Sequence, residues 1–174
     1  MENASVSAAD KEVIARQLGR TPKSIKAISR RCDKGFPQVV FTFPLLPGKT
    51  PFPTTYWLTC PFLNEKIAML ESKGIIKDLQ AEIEENDGLR DEVMRAHWAY
   101  RDERNRLFSP VCGFPDNARK AMDEVGIGGV HDFSKVKCLH AHYAHYLAKG
   151  INPIGERIAV LLGDTICDRE CEDY

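Results

Sequence analysis

Residues 39–61 read Val39-Val40-Phe41-Thr42-Phe43-Pro44-Leu45-Leu46-Pro47-Gly48-Lys49-Thr50-Pro51-Phe52-Pro53-Thr54-Thr55-Tyr56-Trp57-Leu58-Thr59-Cys60-Pro61. Both ends of this stretch carry the β-branched and aromatic residues that fit a pleated, half-buried surface, so 39–43 and 54–59 read as strands. Between them stand prolines 44, 47, 51 and 53 and Gly48. That spacing reads as an ordered loop, because proline lowers the entropy lost when a loop is fixed. Pro61 suits the first position of a helix. The stretch therefore marks a switch, with strands before it and helices after.

Working outward, Ile25, Ala27 and Ser29 alternate with longer polar residues as in a half-buried strand over 25–32. Before it, Ser7 can cap a helix over 8–18 that Gly19 ends. Downstream, the pattern predicts helices over 62–72, 76–85 and 89–107, the last with Val93, Ala96, Trp98 and Leu107 as buried positions. Residues 109–129, with Pro110, Pro115 and glycines 126, 128 and 129, are expected to be irregular. Ser134 is expected to cap a helix that Gly150 terminates, and Asn152-Pro153 to open another reaching about residue 162. The expected fold class is α+β: a small N-terminal antiparallel sheet (about 24–60) packed against a mostly helical remainder (61–162). A short acidic tail, 163–174, completes one domain.

The chain of 174 residues is long enough to bury a core without staples. A net charge of −1 gives no global pull toward nucleic acid or membrane. No stretch approaches the roughly 20 apolar residues of a membrane span. The start lacks the basic and apolar regions of a secretory signal, so the chain is expected in the cytoplasm. The basic residues between Arg16 and Lys34 read as a solvated face, so nucleic acid is not expected as a partner. Six cysteines, at 32, 60, 112, 138, 167 and 171, are then expected to be thiols rather than a disulfide framework.

Residues 137–149, Lys-Cys-Leu-His-Ala-His-Tyr-Ala-His-Tyr-Leu-Ala-Lys, hold three of the five histidines. On a helical wheel with Cys138 at zero, His142 falls at about 40° and His145 at about −20°. Thiolate and imidazole on one face suit zinc or iron. His140, at about 200°, reads instead as a hydrogen-bonded histidine at the edge of the core. The bland alternative is that all these groups serve packing and hydrogen bonding. Cys60 is expected at a helix N-cap, where the backbone N–H groups and the dipole favour a thiolate serving as nucleophile, redox thiol or metal ligand; the plain alternative is a buried thiol acting as a weak cap. Gly126-Ile127-Gly128-Gly129 reads as a mobile turn, and Cys112, Cys167 and Cys171 as structural or free thiols.

Three stretches carry a family resemblance: 48–61 (Gly-Lys-Thr-Pro-Phe-Pro-Thr-Thr-Tyr-Trp-Leu-Thr-Cys-Pro), 136–145 (Val-Lys-Cys-Leu-His-Ala-His-Tyr-Ala-His) and 152–156 (Asn-Pro-Ile-Gly-Glu). On these the chain resembles a bacterial family known as domain of unknown function 501, over about residues 16–160. Arg31-Cys32 before Gly35 looks like the family's Arg-Cys-Pro-Cys-Gly stretch, with Lys34 in place of its second cysteine. The resemblance implies a cytoplasmic protein without an assigned activity and supports a strand over 25–32. It also implies a link to cell-division proteins, since members often lie near genes for a septum-formation protein and an exopolyphosphatase-like protein.

The residues leave three readings open. In the first, a metal-binding domain, Cys60, Cys138, His142 and His145 hold zinc or iron, with Cys32 as a possible further ligand. Four protein ligands would make that site structural, and three would leave an open position for hydrolysis. The second is a non-catalytic interaction or regulatory module. The third is a thiol enzyme using Cys60 with a nearby histidine.

Overall fold

Ser7 and Gly19 set the limits of the first helix, α1 (Ala8–Leu18): the Ser7 hydroxyl accepts from the N–H of Asp10, and Gly19 closes the helix with φ 63°. The computed structural model describes residues 6–46, 50–108, 115–163, 167 and 171. Strands β1 (Ile25–Arg31) and β2 (Pro37–Thr42) form an antiparallel hairpin, followed by a two-residue ribbon of β3 (Leu45–Leu46) and β4 (Thr50–Pro51). Then comes β5 (Tyr56–Leu58), which pairs antiparallel with β2, giving the strand order β1-β2-β5. The proline-rich loop thus contains a small ribbon. Its tip, 47–49, lies outside the described residues.

Six helices follow among the described residues: α2 (Pro61–Ser72), α3 (Ile75–Glu85), α4 (Asp87–Arg106), α5 (Asp116–Asp123), α6 (Leu139–Lys149) and α7 (Pro153–Leu162). A 3₁₀ turn, Ile127–Gly129, stands between α5 and α6. The fold is α+β, with the small N-terminal antiparallel sheet packed on the helices, as the switch at residues 39–61 predicts. No helix among the described residues is long and apolar enough to cross a membrane. One cluster of buried side chains joins Val39, Tyr56 and Leu58 of the sheet to Leu63, Val93, Tyr100, Leu139 and Ile158 of the helices. α6 sits inside this cluster, between β5 and α7. Tyr100 ties α4 to the sheet, its hydroxyl accepting from the N–H of Thr55 at 2.6 Å.

Three expectations need correction. The segment after residue 114 is not wholly irregular, because α5 forms there with Met122 as its buried anchor. Trp98 is 42% exposed while its neighbours Val93 and Ala96 are buried, since it lies off the stripe that α4 turns to the core. The helix placed after Ser134 begins five residues later, at Leu139. Ser134 closes a local turn with Asp132 instead, and the N–H of Val136 donates to Gln80 Oε1 at 3.0 Å. A side chain from α3 thus takes a donor that the Ser134 hydroxyl would have accepted as an N-cap.

Candidate metal centre

The late start of α6 decides what Cys138 can do. Cys138 is the N-cap, with φ −143° and ψ 113°, so it is extended rather than helical. The wheel that aligns it with His142 and His145 applies only to residues inside the helix. Capping is supplied from α2: the N–H of Leu139 donates to Glu71 Oε1 at 2.8 Å. Glu71 lies in the last turn of α2, where the helix dipole opposes a carboxylate, and it serves the positive end of α6 instead.

Among the described residues, one group of three or more histidine, cysteine, aspartate or glutamate side chains brings its ligand atoms within 4.8 Å of one another: Glu71, Cys138 and His140. All three are half-buried. His140 Nδ1 lies 3.3 Å from Glu71 Oε1, and its Nε2 lies 3.1 Å from the carbonyl oxygen of Asn64. A carbonyl only accepts, so Nε2 carries a proton and Nδ1 is the atom turned toward the carboxylate and the thiol. The hydrogen bond to Cys138, the Asn64 carbonyl and the charge of Glu71 raise the His140 pKa to about 9 against the opposing effect of burial. A cavity of about 440 Å³ opens on this group, with Cys138, His140 and Asn64 in its wall.

Of the metal ligands expected from the sequence, Cys138 alone belongs to this group; His140, expected as a hydrogen-bonded histidine at the core edge, makes those bonds and joins it. His142 and His145 are fully buried in a separate network built on Asn152. Asn152 Oδ1 accepts from the N–H of Gly155 at 2.9 Å, which fixes the orientation of its amide. The same oxygen faces His142 Nδ1 at 3.2 Å, so that nitrogen donates. Asn152 Nδ2 faces His145 Nδ1 at 3.1 Å, so that nitrogen accepts. One amide thus gives the two imidazoles opposite tautomers. A third buried ring, His97 of α4, lies 5.2 Å from His142 and accepts the N–H of Ile127 at Nδ1. Burial, the largest cause in each case, lowers the pKa to about 4 for His97 and about 3 for His142 and His145. The glycine turn is accordingly ordered: Ile127 is buried, and a Cβ on Gly126 would stand 2.4 Å from His97 Nδ1.

Cys60 occupies the N-cap of α2, as its place before Pro61 predicts, but the expected lowering of its pKa is reversed. The thiol is 7% exposed, and burial pushes its pKa up to about 11 despite the nearby N–H groups of Leu63 and Phe62. Cys32 sits in the β1–β2 turn, its N–H donating to the carbonyl of Phe36. Cys112 lies outside the described residues. Sequence reading passed over Glu71 and His97. An acid in the last turn of a helix was a usable signal for the first. For the second, the spacing of Val93, Ala96 and Tyr100 puts residue 97 on the same buried stripe.

A protein-family model described as "Protein of unknown function (DUF501)" matches residues 28–160. No curated protein and no solved structure matches the chain.

Proposed function

The chain belongs to the DUF501 family, and we propose that its function rests on a zinc or ferrous ion held by Glu71, Cys138 and His140. The supporting observation is the convergence of three different donors within 4.8 Å, with the histidine already turned by a backbone carbonyl. Carboxylate, thiolate and imidazole together suit zinc or iron, and a carbonyl behind the ligating imidazole is the usual means of orienting it. Three protein ligands leave one position open, as catalytic sites require. Here that position would face the cavity. A water bound there would ionise near neutral pH, which makes hydrolysis the reaction class the site favours. A reducing compartment such as the cytoplasm would keep Cys138 available as a ligand.

The test is metal analysis of untagged protein prepared without chelators. One zinc or iron per chain is expected. Replacing that metal with cobalt should give a thiolate-to-cobalt charge-transfer band. Cys138→Ser should abolish the band, and Glu71→Gln or His140→Ala should weaken metal affinity by 10-fold or more, while Cys32→Ser changes neither. Protein that takes up neither zinc nor cobalt would refute the site.

The raised pKa of His140 favours a second reading, in which Cys138 and His140 form a thiolate–imidazolium pair and Cys138 is a nucleophile. Metal-free protein would then alkylate at Cys138 rapidly at pH 6, and His140→Ala would slow that labelling. If neither metal nor rapid labelling is found, the non-catalytic interaction module remains.

A further inference from the structure

The cavity beside Cys138 and His140 runs past Trp57 and Phe52 to Arg20. The Arg20 guanidinium lies 4.9 Å from the centre of the Trp57 ring, and the Phe52 and Trp57 rings are 5.9 Å apart. A second concavity of about 530 Å³ shares Arg20, Phe52 and Trp57 with the first and adds Lys23 and Ser24. The two therefore adjoin along Arg20, Phe52 and Trp57 as a groove in two parts. No aspartate or glutamate lines either part. Among the described residues, neither Arg20 nor Lys23 is in an ion pair. The backbone of Arg20 is fixed, because the αL turn at Gly19 directs the Arg20 N–H to the carbonyl of Ala15 at 3.0 Å.

A cation with a fixed backbone, lying over the half-buried Trp57 ring and in no ion pair among the described residues, is a receptor for a negative charge next to a flat ring. Guanidinium forks match phosphate and carboxylate, and aromatic faces hold planar rings. A volume of about 440 Å³ falls in the range of small-molecule sites. We infer that the groove binds a small aromatic anion of about mononucleotide size. Its ring lies against Trp57 and Phe52, and its phosphate or carboxylate lies on Arg20 with Lys23 behind it. That the remainder of the ligand points to Cys138 and His140 rests on the metal reading above, whereas the ring and anion positions stand without it.

Calorimetric titration of the full chain with AMP, adenosine, inorganic phosphate and benzoate tests this. Saturable binding is expected for AMP, for benzoate or for both, with adenosine and inorganic phosphate at least tenfold weaker. AMP alone would identify phosphate as the anion, and benzoate alone carboxylate. Arg20→Gln should weaken the bound anion at least tenfold with thermal stability and metal content unchanged. In a Trp98→Phe background, which leaves Trp57 as the one tryptophan, the ligand should quench the indole fluorescence. Failure of both AMP and benzoate to bind, or unchanged affinity in Arg20→Gln, would overturn the inference. Metal loss with anion binding intact would count against the metal reading alone.

Discussion

Two opposing effects meet at the sulfur of Cys60. The N-terminus of α2 offers it backbone N–H groups, which stabilise a thiolate. The surrounding core withholds water, which destabilises any charge. Burial wins, and the pKa rises to about 11. In the folded protein at pH 8, Cys60 is therefore expected to alkylate at least about tenfold more slowly than half-buried Cys32, since only the thiolate reacts. Peptide mass spectrometry after timed iodoacetamide treatment reads this directly. The difference should vanish in urea, and equal rates in the native protein would contradict the account. At Cys138 the decisive quantity is a backbone angle: an extended φ turns the side chain from the helical row toward Glu71 and His140.

The elements are where the sequence was most legible. The period-two pattern at 25–32, the β-branched and aromatic run at 39–43 and the caps at Ser7, Asn152 and Gly150 are local signals, and each corresponds to an observed strand or helix end. What was not legible depends on partners far away in the chain. Gln80 and Glu71 take the backbone donors of Val136 and Leu139, residues 56 and 68 positions distant, and so delay the start of α6. No helical wheel contains that information, which is why the wheel groups Cys138 with His142 and His145 although the structure separates them. Element packing also explains Gly155. A Cβ there would stand 2.2 Å from the Cβ of Tyr146 and 2.8 Å from the carbonyl oxygen of His142, and neither can move without moving α6. Gly155→Ala is expected to cost about 3 kcal/mol, near the upper end for overpacking, although alanine is the better helix former. The urea midpoint measures it, and an unchanged midpoint would show that α6 and α7 can separate.

For the molecule as a whole, the buried histidines set how stability depends on pH. Folded His97, His142 and His145 stay neutral to about pH 4 or 3, whereas an unfolded histidine takes up its proton near pH 6.5. The unfolded chain therefore binds more protons below pH 6.5, and stability falls as pH falls from there toward 4. With three such groups the slope approaches about 4 kcal/mol per pH unit. His140 acts in the opposite sense: its raised pKa stabilises the fold below pH 6.5, and that contribution is lost as pH rises through about 9. Urea midpoints are expected to be highest near pH 7–8 and to drop steeply by pH 5; a flat profile from 7.5 to 5 would mean that the three rings reach water. The arrangement depends on Asn152 remaining an amide, because a carboxylate there would have no N–H to offer His145. Asparagine in proteins ages into aspartate when the nitrogen of the next residue attacks the side-chain carbonyl and closes a five-membered imide. The next residue here is Pro153, whose nitrogen has no hydrogen to lose, so that route is closed. The proline that opens α7 thereby protects the buried network from chemical decay over the lifetime of the molecule.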